Sequence, residues 1–328
     1  MMFSGGISGP YTFLIRPESD KSYLSTKSIR FTGKFKLEHK STTGVWGPIA
    51  DAEKGKVGFV CSPVNSLIDS IEVEMNGQRM SFLSSPNNNY RTYIENIFTF
   101  PKNTYKTSLA GSHFFVNEAS SATSIPTGGD FDVQKEHDFS VNLHTEFSHL
   151  DKCLPPQTEL NIRINRTTSD CFALVSPSLN AGDLRIILSD LQLKFRRQQV
   201  RPSLVEEHKR MFNQNRLALY PTVTPVIKHR TINAGSSMLD ESNLFLGRLP
   251  SFVVIGMLDQ RSFTGNLRYD PYFFSPTEGE DDGAKIKHVE LSVNSVALPI
   301  TLYKPDFGNN LYRREFATMV SIDLLCMH

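Results

Sequence analysis

Several segments of the chain alternate apolar and polar residues with a period of two, the pattern of a β-strand buried on one face. Residues 28–38 and 160–165 follow it closely. In residues 184–196 the apolar positions change parity near Ser189-Asp190, where a bulge or bend would return both halves to the core face. The inward positions of the first two segments are Ile29, Phe31, Phe35, Leu37, Leu160, Ile162 and Ile164.

Helical signals are few, and turn-rich loops separate the alternating segments. Asn89 is a candidate N-cap for a helix over residues 90–98, and Pro202 begins a second candidate that ends near Arg216. Both helices interrupt a β framework, and Pro202 also marks a boundary between two domains. The pattern therefore predicts an all-β protein made of antiparallel sandwiches.

A faint internal repeat links the two halves of the chain. Residues 71–77 and 289–295 share an alternating segment that ends in a turn pair, at an offset of 218 (289 minus 71). A Tyr-Arg pair follows each copy, at residues 90–91 and 312–313, at an offset of 222. Two matches at nearly one offset predict the duplication of a sandwich of roughly 200 residues.

The duplication predicts two domains, at residues 1–198 and 199–328. A complete second copy would extend beyond residue 328, and the segments that match residues 107–198 have no counterpart. We therefore expect a second sandwich that is incomplete at its C-terminus. The second sandwich would be completed by a different topology, by another chain or by a further C-terminal portion.

Several of these segments occur together in one known family. A Pro-Val-Asn entry leads to a strand that ends in Asn76-Gly77 and then to Tyr90-Arg91-Thr92-Tyr93-Ile94-Glu95. In this order they resemble the hexon-like major capsid proteins of Polinton (Maverick) elements and adintovirus-like relatives. Three later segments share the resemblance, at residues 249–256, 263–266 and 305–313. The first of them resembles a strand of the family's second domain.

The resemblance implies a double jelly roll, two antiparallel sandwiches in one chain, that forms trimers with a pseudo-hexagonal outline. It implies a structural protein of an icosahedral virion shell, made in the host cell without a secretory signal. Its partners would be further copies of the chain and other capsid proteins, such as a penton or minor capsid protein. Family members usually continue past the matched region, which agrees with the expected incomplete second sandwich.

Composition narrows the function classes. Apolar residues make up 39% and charged residues 21% of the 328 residues, as in a soluble globular protein. Lys plus Arg (35) nearly equals Asp plus Glu (34), which argues against a dedicated or sequence-specific nucleic-acid binder. The first ten residues contain neither a basic region nor a long apolar run, so we expect no secretory signal, and we expect no membrane span. The four cysteines have no CxxC spacing and are expected to be reduced packing residues.

No segment carries a strong signature of metal or catalytic chemistry. A cupin would need clustered histidines, and the nearest cluster is His144, His149, Asp151 and Cys153, whose two histidines would face opposite sides of a strand. The acidic run 278–283 resembles a calcium loop, but Val289 stands where a bidentate Glu is required. We predict no catalytic residue, no metal site and no cofactor.

One local charge excess stands at the domain junction. It comprises Lys194, Arg196, Arg197, Arg201, Lys209, Arg210 and Arg216. It is interpreted as a solvated face with Glu206 and Glu207 as partners, and the alternative is a contact with packaged genome or an internal scaffold. The main rival to the capsid function is a glycan- or receptor-binding β-sandwich on a virion or cell surface. A β-sandwich hydrolase is the third hypothesis.

Overall fold

A computed structural model of the protein describes residues 2–4, 9–19, 21–80, 87–116, 123–127, 131–148, 150–222, 224–233, 235–236, 238–242, 244–245, 250, 253–274, 288–293 and 296–304. Antiparallel β-sheets dominate these residues, and helices are few. The predicted all-β class is therefore confirmed. Within these ranges no helix has both the length and the apolar character needed to cross a membrane.

Most of the described strands are short, and β3 and β11 are the longest of them. The strands are β1 (Met2–Ser4), β2 (Tyr11–Ile15), β3 (Ser22–Lys40), β4 (Trp46–Gly47), β5 (Gly58–Phe59), β6 (Ile68–Met75), β7 (Gln78–Arg79), β8 (His137–Asn142), β9 (Leu160–Arg166), β10 (Leu174–Val175), β11 (Leu184–Gln199), β12 (Val289–Val293) and β13 (Val296–Tyr303). The α-helices are α1 (Pro63–Ser66), α2 (Asn88–Thr99), α3 (Pro202–Asn213) and α4 (Gln260–Phe263). Short 3-10 helices span Lys54–Lys56, Lys102–Thr104, Ala110–Ser112, Asp170–Phe172 and Ala181–Asp183.

Two sheets face each other as a sandwich. One has the strand order β1-β2-β9-β6-β7, and the other has the order β11-β3-β4 with β8 paired to β3. Every pairing in both sheets is antiparallel. Phe13 of β2 and Phe31 of β3 are fully buried, and their ring centroids lie 5.9 Å apart. Residues 2–199 thus contain the antiparallel sandwich that the alternation predicted.

The core is built from the inward positions of the alternating segments. Phe31 and Phe35 of β3 are 0% exposed, and Ile162 and Ile164 of β9 are 2% and 1% exposed. Each such side chain contributes about 1.5–3 kcal/mol by leaving water. The predicted faces of residues 28–38 and 160–165 are therefore confirmed.

The long β3–β11 pair contains the predicted bulge. Its register shifts between Ser189 and Gln192, and Asp190 adopts a positive φ of 52°. Gly33 lies opposite the bulge, where an added Cβ would stand 2.7 Å from the Ser189 carbonyl oxygen and 2.9 Å from a Leu191 methyl carbon. The close approach of the two backbones therefore requires glycine at this position.

Both predicted helices are present, with shifted ends. Helix α2 begins at Asn88 after Asn87, whose φ is 77°, so the N-cap assignment to Asn89 is wrong. Asn89 is 3% exposed inside the first turn, because the chain enters the helix from a left-handed residue that asparagine tolerates. Helix α3 begins at Pro202 as predicted and ends at Asn213, followed by Asn215 at φ 57°. A left-handed residue commonly terminates a helix in this way.

The chain forms two compact units, residues 1–229 with 261–272, and residues 230–260 with 273–328. The predicted domain boundary at residue 198 stays a prediction. In the second unit β12 and β13 form an antiparallel hairpin, so the second copy of the repeat does contain a strand. Residues 253–256, however, lie in irregular backbone, and the strand expected there from the resemblance is wrong. No described strand pairs with them, and Val253 to Ile255 remain exposed.

Candidate functional site

Helix α2 carries the Tyr-Arg-x-Tyr-Ile-Glu segment, and one set of its side chains is aromatic. Tyr93 stacks on Tyr272 with ring centroids 4.7 Å apart, and Tyr90 stacks on Phe263 at 5.7 Å. Both α2 tyrosines are less than 9% exposed. The aromatic side chains of α2 therefore hold residues 261–272, which we call the strap.

The strap is part of the first unit, although the chain before and after it belongs to the second. Leu267 is 5% exposed and joins the sandwich core, and its carbonyl accepts a 2.8 Å hydrogen bond from the Ser176 amide. Gly265 has a φ of 74°, and a Cβ there would stand 3.0 Å from the Phe172 ring. The strap is thus fitted to this surface by its backbone as well as by its rings.

The groups buried under the strap are held in their neutral forms. Burial raises the pKa of the Tyr90 and Tyr93 hydroxyls, and nearby Asp270 raises it further. Burial also raises the pKa of the Cys61 thiol well above its ordinary value. A thiol needs a lowered pKa to act as a nucleophile. These buried side chains therefore contribute packing contacts and not a reactive group.

A second set of α2 side chains is ionic. Arg91 Nε donates to Glu95 Oε1 at 2.7 Å, and His144 Nδ1 lies 2.5 Å from Glu95 Oε2. Arg91 also lies 4.0 Å from the Glu146 carboxylate, and the side chains of both are only 10% exposed. The network fixes the chain that follows β8 against α2. Arg91, Glu95 and His144 therefore hold the chain after β8 in place, and each of them contacts a charged or polar side chain.

An ion pair covers part of the free edge of β11. In the described sheet β11 pairs only with β3, which leaves its other edge without a neighbouring strand. Asp170 Oδ2 accepts the Ile186 amide at 2.8 Å, and Arg166 donates to the Ile186 carbonyl at 2.8 Å. Arg166 and Asp170 also bond each other at 2.6 Å. Two side chains thus satisfy backbone groups that would otherwise invite another strand.

Large apolar side chains are exposed along the α3 arm, which we define as residues 202–222. Leu204 and Phe212 of α3 are 44% and 43% exposed, and Leu217 and Leu219 just after it are 84% and 73% exposed. Helix α3 itself is anchored, because Val205 is buried and His208 Nδ1 lies 2.8 Å from the Tyr23 hydroxyl. The arm therefore presents apolar surface from a fixed position.

The structure disperses the residues of the rejected metal cluster. His144 contacts Glu95, while Asp151 forms an exposed ion pair with Lys27 at 2.9 Å. Cys153 contacts Gln198, and His149 lies outside the described residues. Among the residues that the structure describes, no three His, Cys, Asp or Glu side chains are grouped to hold a metal. The acidic run 278–283 also lies outside them.

The three described cysteines are free thiols, and two of them are buried. Cys61 accepts a hydrogen bond from the Phe115 amide at 3.4 Å, as a packing residue would. Cys326 lies outside the described residues. The buried positions of Cys61 and Cys171 therefore agree with the expected packing role.

The strap and the Arg166–Asp170 pair were not found from the sequence. Both depend on contacts between residues that are distant along the chain or on different elements. The only sequence signal for the strap is the resemblance of residues 263–266 to a family loop, which says nothing of where that loop packs. Arg166 and Asp170 are four residues apart in a strand and a turn, where spacing alone predicts no contact.

Sequence similarity to known proteins is weak. No protein-family model matches the chain. An uncharacterized protein of Caenorhabditis elegans is 20% identical over 324 residues, which cover 95% of this chain and 72% of that protein. At this identity the match assigns no activity.

Similar solved structures include chains from a virophage and from virus capsids. They include a chain of the Sputnik virophage (TM-score 0.37, 10% identity, 60% of this chain and 44% of that one) and the mavirus major capsid protein (0.36, 13%, 61% and 46%). A chain of the PBCV-1 virus capsid has a TM-score of 0.34 and 16% identity, and the match covers 63% of this chain and 41% of that one. The chain thus spans less than half the length of these structures. At such TM-scores only part of the arrangement superposes, so the function has to be inferred from the chain's own residues.

Proposed function

We propose that this protein is a structural subunit of a virion capsid, a double jelly roll that associates with copies of itself. The observation that carries the proposal is the position of the Tyr-Arg-x-Tyr-Ile-Glu segment. In this chain its tyrosines hold the strap and its Arg91 and Glu95 hold the loop after β8. Four residues of the family-like segment are therefore structural contacts of a β-sandwich, and the two tyrosines among them are buried.

The framework fits a protein whose work is geometric. A rigid antiparallel sandwich with a phenylalanine-rich core can present loops and edges at fixed positions to its neighbours. The charge and apolar surfaces that meet between such neighbours then determine how they assemble. In this role the chain needs no catalytic centre, metal or cofactor.

The finer features of the proposal come from the resemblance. We propose two jelly-roll domains, at residues 1–198 and 199–328, the second incomplete, and trimers with a pseudo-hexagonal outline. Polinton-like elements are the proposed source, and a penton or minor capsid protein is a proposed partner. The virion is the proposed location.

The exposed apolar residues of the α3 arm are the proposed contact between copies. Soluble monomers rarely expose several large aliphatic and aromatic side chains close together. Leu217 and Leu219 are both mostly exposed and belong to no core cluster, so their replacement leaves the core of the sandwich intact. A neighbouring copy would remove this surface from water.

The test replaces both leucines by aspartate (Leu217→Asp with Leu219→Asp) and measures mass by size exclusion with light scattering. We expect the wild-type chain to associate as its concentration rises and the double variant to remain monomeric with an unchanged melting temperature. Val45→Asp is the matched control, because Val45 is 66% exposed elsewhere on the sandwich. Equal association of wild type and double variant would refute the proposed contact.

A further inference from the structure

Four cations on and beside β11 form no ion pair and no side-chain hydrogen bond with any residue that the structure describes. They are Arg30, Lys194, Arg196 and Arg201, which we call the basic strip. All four are exposed. Two other cations of the junction do have carboxylate partners, because Arg197 lies 3.3 Å from Glu18 and Arg210 lies 2.7 Å from Glu207. The expected solvated face with Glu206 and Glu207 as partners therefore does not account for the strip.

Two cations of the strip are direct neighbours. Lys194 and Arg30 are register partners in the β3–β11 ladder. Their chain neighbours Leu193 and Phe31 point into the core, so Lys194 and Arg30 lie together on the outer face of the sheet. Directly opposed side chains have Cβ atoms about 4.5–5.5 Å apart, and like charges there are destabilising. The fold thus tolerates a repulsive pair that an anion would relieve.

The exposed positions on this part of β11 carry no apolar side chain. From residue 192 to residue 199 they are occupied by Gln192, Lys194, Arg196, Gln198 and Gln199. An extended strand advances about 3.3 Å per residue, so β11 covers roughly 17 Å from Lys194 to its end at Gln199, and Arg201 follows two residues later. A row of cations and amides of this length matches a nucleic-acid backbone, which carries one phosphate about every 3.4 Å of each strand.

We infer that the basic strip binds the phosphate backbone of nucleic acid without reading its sequence. This inference rests on the proposed capsid function, in which a shell subunit meets the packaged genome. The near-neutral charge of the whole chain gives no general attraction for phosphate, so the binding has to come from a local group of cations such as the strip. Phosphate contacts by lysine and arginine release counterions, so the affinity must fall steeply with salt.

The experiment titrates the full chain, before it associates, into a fluorescently labelled DNA duplex and measures the affinity by fluorescence anisotropy at several salt concentrations. Four phosphate contacts predict a loss of affinity of about 150-fold between ~50 and ~200 mM salt. The variant with Arg30→Gln and Lys194→Gln keeps two contacts and should lose only about 12-fold over the same range. Its melting temperature should not fall, because the change removes a like-charge pair.

The matched control is the variant with Lys40→Gln and Lys56→Gln, which removes two exposed lysines that lie outside the strip. It should bind DNA as the wild type does. The inference is overturned if the strip variant keeps the wild-type salt dependence, if the control loses as much, or if the chain binds anionic phospholipid vesicles and no DNA. DNA binding by a chain that never associates would sustain the strip and refute the shell function, so the two failures are distinguishable.

Discussion

Removal of the Asp170 carboxylate isolates the contact that covers the edge of β11. The Asp170→Ala variant leaves the Arg166 guanidinium without its 2.6 Å partner and the Ile186 amide without its 2.8 Å acceptor. The Arg166 side chain is only 6% exposed, so water does not readily replace the lost partner. The substitution therefore leaves a buried cation without its carboxylate and a backbone N–H without its acceptor.

The magnitude follows from these two losses. Removing one partner of a buried ion pair typically destabilises a protein by about 3–5 kcal/mol. Leaving a buried backbone N–H without an acceptor typically destabilises it by about 1–3 kcal/mol. Because Asp170 is itself 21% exposed, we expect a total of about 3–4 kcal/mol rather than the sum. The double variant Arg166→Met with Asp170→Ala removes the cation as well. It should recover about half of the loss.

Urea unfolding followed by circular dichroism measures both variants against the wild type. Asp151→Ala is the control, since the Lys27–Asp151 pair is highly exposed and should contribute less than about 1 kcal/mol. The uncovered edge should also raise light scattering of the Asp170→Ala variant near its unfolding midpoint. A loss below about 1 kcal/mol for Asp170→Ala, or a double variant less stable than the single one, would contradict this account.

Three further variants test separate parts of the fold. Tyr272→Ala removes the ring stacked on Tyr93 and should cost about 3–4 kcal/mol, with faster proteolysis within residues 261–272. Gly33→Ala places a Cβ against the bulge and should lower the free energy of unfolding in urea by about 1–3 kcal/mol. Hydrogen bonds from Lys36 and Arg185 lower the pKa of Glu38 below its ordinary 4.5. Its stabilisation is therefore complete above pH 4.5 and disappears as the pH falls through the lower folded-state pKa, so Glu38→Gln should flatten the acid limb of the wild-type stability profile.

Local patterning predicted the sandwich because its causes are local. The two-residue period of residues 28–38 and 160–165 fixes which side chains face the core, whatever the partner strands are. The parity change near Ser189-Asp190 likewise predicts a bulge, since a strand cannot otherwise keep both apolar sets inside. Helix ends are weaker signals, and Asn87 rather than Asn89 precedes α2.

The functional contacts were less predictable because they join distant residues. The sequence around α2 predicts a helix that carries two tyrosines. It contains no signal that residues 261–272 pack on them. The pairing of Lys194 with Arg30 appears only once the strand register is known. Residues 253–256 show the opposite error, in which an apolar run that resembles a strand has no partner strand in the described residues.

Negative-stain electron microscopy combined with light scattering of the purified chain tests the capsid function most directly. A subunit of 37.0 kDa that forms trimers should give particles of about 111 kDa, three times that mass, with three lobes and a pseudo-sixfold outline. The wild type should show them and the Leu217→Asp, Leu219→Asp variant should not. A stable 37.0 kDa monomer at every concentration, with no three-lobed particle, would contradict the function proposed for this protein.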